Sequence, residues 1–412
     1  MAGLMEAARR RNPLPTGTLA VGGGLLVAGL SAYGFLAVAR RALSEAEFSP
    51  LAATWSLVFL IGPGLFLPLE QEISRALAER RTRGVGGRPV VRRAATLAVG
   101  LGLAVLVLLI ATARLSVDHI FDHQLLLLVG LTLGVAGALA GHLTRGCLSG
   151  TGRFRGYGTY VGADGLIRLS AAVLCALIGV KTAGWFGIAL GVAGLLAVPV
   201  ALRVERPVLK DGPESALREV SSALGYLLAA SVLAFGLMNI GPVIVKVLAS
   251  EAEAEAAGRF VAGVVIARVP LFLFQAVQAS LLPKLSALAT AQRLADFHVG
   301  LGRLLVVVAS LAVVGTVVGA LAGPTVVEIM FPDANLGSRT MGLLAAGSGL
   351  YMLALACAQA VIALGGHRDQ AIGWAAGMLA LAMTTWWASD DLFLRVEIGL
   401  LVGSLAAFLT MG

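Results

Sequence analysis

Charge is what this sequence has least of: only 13% of its 412 residues are Asp, Glu, Lys or Arg, about half the share of an ordinary soluble domain. With 58% hydrophobic residues and a mean hydropathy of +0.90, a water-solvated fold is excluded. Cysteine is scarce too. Cys147, Cys175 and Cys357 have no ligand spacing, which leaves neither a disulfide framework nor a zinc site. Long polar loops are missing, so there is no room for the outer catalytic domain that a membrane glycosyltransferase or ligase would need. Carboxylates are nearly absent from the apolar runs, and Asp164 is the only one well inside a predicted helix.

What is present is a series of uncharged apolar stretches tiling the chain. A helix needs about 20 such residues to cross the hydrocarbon core. The predicted spans are 17–39, 51–69, 94–113, 124–144, 158–180 and 183–202, then 222–245, 258–282, 301–322, 340–364, 371–388 and 396–411. A polar break at 203–219 separates the two sets. Strands of a closed barrel would alternate polar and apolar residues, and runs such as Leu101–Ala111 do not. The first span follows Arg9, Arg10 and Arg11 and ends on a small-residue triplet, Ala37-Val38-Ala39, but exceeds the length of a signal-peptide core, so it is expected to be retained.

The basic residues are scattered over connections rather than gathered in one patch, which argues against nucleic acid as a partner. If the N-terminus is cytoplasmic, 21 of the 31 Lys and Arg fall in cytoplasmic positions and 8 outside. By the positive-inside rule both termini are expected in the cytoplasm, with the chain multi-pass in the plasma (inner) membrane.

An offset of 206 relates Ser44–Glu47 (SEAE) to Ser250–Glu253 (SEAE), and Leu65–Leu67 (LFL) to Leu271–Leu273 (LFL). Turns at Gly150–Arg153 (GTGR) and Gly365–Arg368 (GGHR) correspond at offset 215. Six spans on either side of the polar break predict an N-lobe, 1–206, and a C-lobe, 207–412, related by an axis along the membrane normal. The expected fold is all-α integral membrane, with about 12 transmembrane helices in two pseudo-symmetric lobes.

Two stretches carry a family resemblance: ARVPLFLFQAVQASLLPKLS (Ala267–Ser286) and the glycine-rich turn RGCLSGTGRFRGYG (Arg145–Gly158). Both resemble the polysaccharide and lipid-linked oligosaccharide flippases of the multidrug/oligosaccharidyl-lipid/polysaccharide (MOP) exporter superfamily, whose fold is MATE-like. The resemblance runs the length of the chain. It implies two six-helix lobes in a V, open to each side in turn, moving a lipid-linked glycan (a polyprenyl diphosphate sugar) without covalent chemistry or a cofactor.

Ionisable groups inside a membrane usually face a cavity or a partner. Arg268 lies in the eighth span, and Phe272, Gln275 and Gln278 follow on the same helical face. Its guanidinium suits a diphosphate, or else it caps carbonyls freed by Pro270. Asp164 and Arg168 sit four apart and pair on one face or meet substrate. His142 and Arg145 reach a head group, or Arg145 snorkels to lipid phosphate. Asn239 precedes Gly241-Pro242, where a kink would free backbone groups. Glu70 and Glu72 lie near Arg75 as a local ion pair or a gate. The acidic positions Glu45, Glu47, Glu251, Glu253 and Glu255 read as solvated loops, and Asp118, His119, Asp122 and His123 as an interfacial loop.

The alternatives are a cation-coupled multidrug exporter of the same fold, which scarce carboxylates disfavour, and a non-transporting scaffold or glycosyltransferase that works with glycan biosynthesis enzymes.

Overall fold

The computed structural model describes residues 18–214, 224–250, 253, 256–271, 274, 292–331 and 334–412. Among these, the chain folds into helices alone: α1 Thr18–Ala42, α2 Glu45–Thr82, α3 Arg88–Ala111, α4 Ala113–His119, α5 Leu125–Gly150, α6 Phe154–Leu177 and α7 Ala183–Val204. The second half adds α8 Leu224–Asn239, α9 Gly241–Leu248, α10 Ala256–Ala267, α11 Leu294–Met330, α12 Ser338–Ala363, α13 His367–Trp387 and α14 Leu392–Met411. Nine of the described helices are long and apolar enough to cross a membrane, and α8 with α9, bent by 60°, makes a tenth such span. Each of the twelve predicted spans has a helix at its place among the described residues, although the eighth, 258–282, is described as a helix only to Ala267 and most of its remainder lies outside the described residues.

Two helices run furthest beyond their predicted spans, for one reason. The second span was expected to stop at 69, where charge begins, yet α2 runs to Thr82. Its extension keeps an apolar stripe of Ile73, Ala76 and Leu77 buried. Its outer face carries Glu72–Arg75, Arg75–Glu79 and Glu79–Arg83 ion pairs at helical spacing, 2.6 to 3.2 Å long. α11 likewise exceeds its predicted 301–322 at both ends. Charge marks where the hydrocarbon ends, while amphipathic burial carries the helix beyond it.

Small residues set the packing inside each half. A Cβ on Gly191 would collide with the Gly130 carbonyl, and one on Gly194 would lie 3.2 to 3.3 Å from Gly137 backbone, so α5 and α7 pack backbone to backbone. In lipid, where burial of apolar surface gives helices little reason to associate, this close approach is a main source of cohesion. Gly24 and Gly158 join α1 to α6 in the same way, and Gly377 and Gly403 join α13 to α14.

The two halves repeat one another in their pairings. α1 packs on α6 as α8 packs on α13; α5 on α7 as α12 on α14; α3 on α5 as α11 on α12. α3 and α11 are peripheral in both halves, with Val107 and Ile110, and Val306 and Leu321, exposed to what would be lipid. Contact between the halves runs mainly through α2, which packs on α8, α9 and α10.

The two ends of the bundle differ. At the arginine-rich end, Arg88 pairs with Asp211 at 2.8 Å and Arg80 donates to the Gly86 and Pro213 carbonyls. At the opposite end the halves are bridged: Lys246 with Asp122 at 2.7 Å, Arg259 with Glu45 at 3.2 Å, and Arg41 to the Ile329 carbonyl at 3.0 Å. The reading as solvated loops therefore needs correcting for Glu45 and Glu47; Glu253 accepts from the Ser250 hydroxyl in an exposed turn, and Glu251 and Glu255 lie outside the described residues. Glu45 bridges the halves, and Glu47 accepts from the Ala183 amide at 2.6 Å and the Gln124 side chain at 2.9 Å, capping α7 from a distance.

Candidate functional site

Three arginines singled out by the sequence, Arg145, Arg168 and Arg268, are each held differently. The first belongs to a cluster where α2, α5 and α6 meet. Glu70 falls in the apolar stripe of α2 that faces α5, among Phe66, Leu69 and Ile73, and its side chain is 7% exposed. Its Oε2 is 2.7 Å from an Arg145 terminal nitrogen and 2.8 Å from His142 Nδ1, while Oε1 accepts from the Tyr157 hydroxyl at 3.0 Å. The Arg145 guanidinium also lies over the Tyr157 and Tyr160 rings, at 5.7 and 5.8 Å. Arg145 does not snorkel to the surface: its side chain is 18% exposed and turned inward onto a carboxylate. Of the two acids expected beside Arg75, Glu72 pairs with it, but Glu70 does not. The signal available in the sequence was its spacing of 4 from Phe66 and 3 from Ile73, a carboxylate on an otherwise apolar face.

The second arginine, Arg168 on α6, pairs with Asp164 one turn earlier at 2.6 Å. It stacks 5.7 Å from Trp55 and 5.3 Å from Phe59 of α2. Carboxylate and rings together balance this charge within the first half of the chain.

The third, Arg268, stands at the end of α10. Its hydrogen bond runs from a terminal nitrogen to Asn239 Oδ1, at 3.1 Å. Asn239 also donates to the Phe235 carbonyl at 3.0 Å, so it is fixed at the break between α8 and α9. No carboxylate pairs with Arg268 among the described residues. Its neighbours Tyr33 and Tyr351 are spent on backbone, donating to the Val265 and Ala234 carbonyls at 3.2 and 3.1 Å. Arg268 lines a cavity of about 30 Å³ with residues of α8, α10, α12 and α14, among them Ser348, Tyr351 and Ser404. This space belongs to the second half of the chain rather than lying between the halves, and by volume it holds one or two waters. The expected companions Gln275 and Gln278 lie outside the described residues, as does Phe272 apart from its place in the sequence.

A larger cavity, about 410 Å³, lies toward the arginine-rich end of the first half, lined by Val21, Glu70, Gln71, Ser74, Arg75, Ser149, Phe154 and Tyr157. The structure thus brings His142, Arg145 and Glu70 together, joins Asp164 to Arg168, and joins Asn239 to Arg268. The interfacial acids and histidines at 118–123 form no single group: His123 lies 3.3 Å from Asp118, while Asp122 turns to Lys246.

No family model matches the chain. Two uncharacterised Mycobacterium tuberculosis proteins are similar in sequence. One is 29% identical over 89% of this chain and 84% of its own length, the other 27% identical over 86% and 81%. Among solved structures, an inward-facing multidrug resistance MATE family transporter of the MOP superfamily aligns with a TM-score of 0.66 at 14% identity, covering 97% of this chain and 94% of the other. A Vibrio cholerae MATE transporter aligns with 0.66 at 17% identity, over 96% and 95%. A Pyrococcus furiosus MOP superfamily transporter, described as having a binding pocket of reverse polarity that suggests a different function, aligns with 0.65 at 13% identity, over 95% and 92%. The chain has the MATE-like fold.

Proposed function

We propose that this protein is an alternating-access transporter of the plasma membrane, with both termini cytoplasmic, that moves a lipid-linked oligosaccharide or polysaccharide precursor across the bilayer. The observation that carries the substrate class is Arg268, a half-buried guanidinium whose partner among the described residues is a neutral amide. An uncompensated cation within a membrane is costly. A diphosphate linking lipid to sugar supplies the missing charge, and the planar fork of arginine binds phosphate oxygens two at a time. The other two arginines have carboxylates of their own and need no ligand. The polar break at Asn239, joined to Arg268, gives the site a connection to the bend between α8 and α9.

The fold itself supports a second reading, since neighbours of this architecture are described as multidrug transporters. The Pyrococcus furiosus neighbour, whose pocket polarity is described as reversed, supports the first, because it is a precedent for the fold with a different pocket charge. The deciding experiment uses the purified chain in liposomes. Flipping of a fluorescent polyprenyl diphosphate sugar, lowered on the order of 10- to 100-fold by Arg268→Ala in correctly folded protein, is the expected result. Export of ethidium without movement of the lipid-linked sugar would replace this reading with the drug exporter.

A further inference from the structure

We infer that the 410 Å³ cavity of the first half is a recognition site for the neutral sugar portion of the substrate. This rests on the transport reading above and gives its glycan a place separate from the anion-binding arginine. At about 300–1,000 Å³, small-molecule pockets combine apolar and aromatic walls with a few placed polar groups, and this cavity has that make-up. Phe154 and Tyr157 offer aromatic surface, while Glu70, Gln71, Ser74 and Ser149 offer acceptors and donors.

Charge selects among ligands. Glu70 is neutralised by Arg145 at 2.7 Å, and Arg75 lies against Glu72 at 2.8 Å and Glu79 at 3.2 Å. The wall therefore presents paired charges, which recruit neither an organic cation nor a phosphate. What it still presents is hydrogen-bonding capacity. Each carboxylate oxygen has about two lone-pair sites; on Glu70 Oε1 one is taken by Tyr157, and Glu70 is among the residues that line the cavity. The Gln71 side chain makes no hydrogen bond among the described residues, and on the same wall Ser149 donates to Ser74 at 2.9 Å and to the Arg145 carbonyl at 2.8 Å, which leaves the Ser74 hydrogen and the lone pairs of both hydroxyls for a ligand. A carboxylate held rigid by an arginine, an amide, two hydroxyls and an aromatic face match a ligand with many hydroxyls and an apolar ring face.

Arg145 and His142 act here as positioning residues. They touch Glu70 rather than the cavity, and they fix which of its oxygens remains available. Substitution at Arg145 would free Glu70 as an unpaired anion and turn the same pocket toward cations.

The test places a cysteine on the wall by Ser149→Cys in the full chain, purified into nanodiscs, and follows labelling at that position by a maleimide with mass spectrometry. The probe is the pool of neutral oligosaccharides released by mild acid from diphosphate-linked lipids of the native cell. Labelling should slow in proportion to 1 + [L]/Kd as the released sugars are added. The further substitution Tyr157→Ala should remove that protection while the protein remains monodisperse. Ser74→Cys serves as a second reporter should Ser149→Cys fail to fold. Unchanged labelling in the presence of the sugars overturns the inference. If the lipid-linked sugar is nevertheless flipped, the transport reading stands and only this pocket is wrong. Protection without flipping would keep the pocket and sink the transport reading. Protection by ethidium in place of sugars would overturn both.

Discussion

The two halves share one helix arrangement yet hold Arg145, Arg168 and Arg268 in different ways. In the first, Arg145 and Arg168 each have a carboxylate within 2.7 Å, plus aromatic rings. In the second, Arg268 has an asparagine. A buried ion pair is a weak source of net stability, because desolvating two charges offsets most of their attraction, but removing one partner is expensive. The paired arginines therefore belong to the architecture of the first half. Arg268, with no carboxylate partner among the described residues, is a cost to folding, and such costs are usually tied to a ligand.

The largest effect that would test this contrast is on stability. Glu70→Ala leaves Arg145 and His142 buried without a carboxylate and is expected to destabilise the protein by about 3–5 kcal/mol, seen as a lower melting temperature of the purified chain. A melting temperature equal to wild type would mean that the cluster is not structural. Restoring neutrality with Glu70→Gln plus Arg145→Gln should recover most of the loss.

Arg268→Ala is the mirror experiment. It should leave the melting temperature nearly unchanged or raise it, because an uncompensated charge is removed. Transport per folded molecule should fall on the order of 10- to 100-fold, the worth of a charge-assisted hydrogen bond or two. Arg268→Lys keeps the charge without the fork and should retain part of the activity. A large loss of stability with normal specific transport would reverse the assignment.

Asp164→Asn is expected to cost less than the Glu70 substitution, about 1–2 kcal/mol, because Trp55 and Phe59 still face the Arg168 guanidinium. Thermal melting of the Trp55→Leu, Asp164→Asn double variant, compared with each single one, would show whether rings and carboxylate share the load.

The smallest effect concerns the starts of the last helices in each half. Asp391 caps α14, accepting from the Leu394 amide at 2.9 Å, and that bond together with Arg339 at 3.2 Å holds its carboxyl below the usual range. A depressed folded-state pKa means stability that is present above the unfolded value and is lost as pH falls through the folded one. Asp391→Asn should therefore cost less than about 1 kcal/mol near neutrality, since asparagine also caps. It should flatten the decline in melting temperature measured below pH 4, about the ordinary pKa of aspartate.

The corresponding helix α7 is capped quite differently. Thr182 makes no side-chain cap, and the Ala183 and Gly184 amides go instead to Glu47 and Gln124, far away in the chain. This pair of caps shows what could be read in advance. Asp391 three residues before the amide it caps is a local pattern, whereas Glu47 before Ala183 is not. Likewise Asp164–Arg168 could be read from spacing, but Glu70 with Arg145 could not, since 75 positions separate them.

What the sequence determined by itself is what a bilayer imposes: the places of the apolar spans and the small residues that let helices touch. Lipid cannot hydrogen-bond a backbone, so each crossing must be a helix satisfied within itself, and such elements are written in local runs. Which charges are compensated was decided by the tertiary structure alone. α2, α5 and α6 had to meet before Glu70 could find Arg145, and α10 had to end beside the break after α8 before Arg268 could reach Asn239. Pairing across the bundle depends on which faces are brought together, and helical periodicity gives the face without naming its partner.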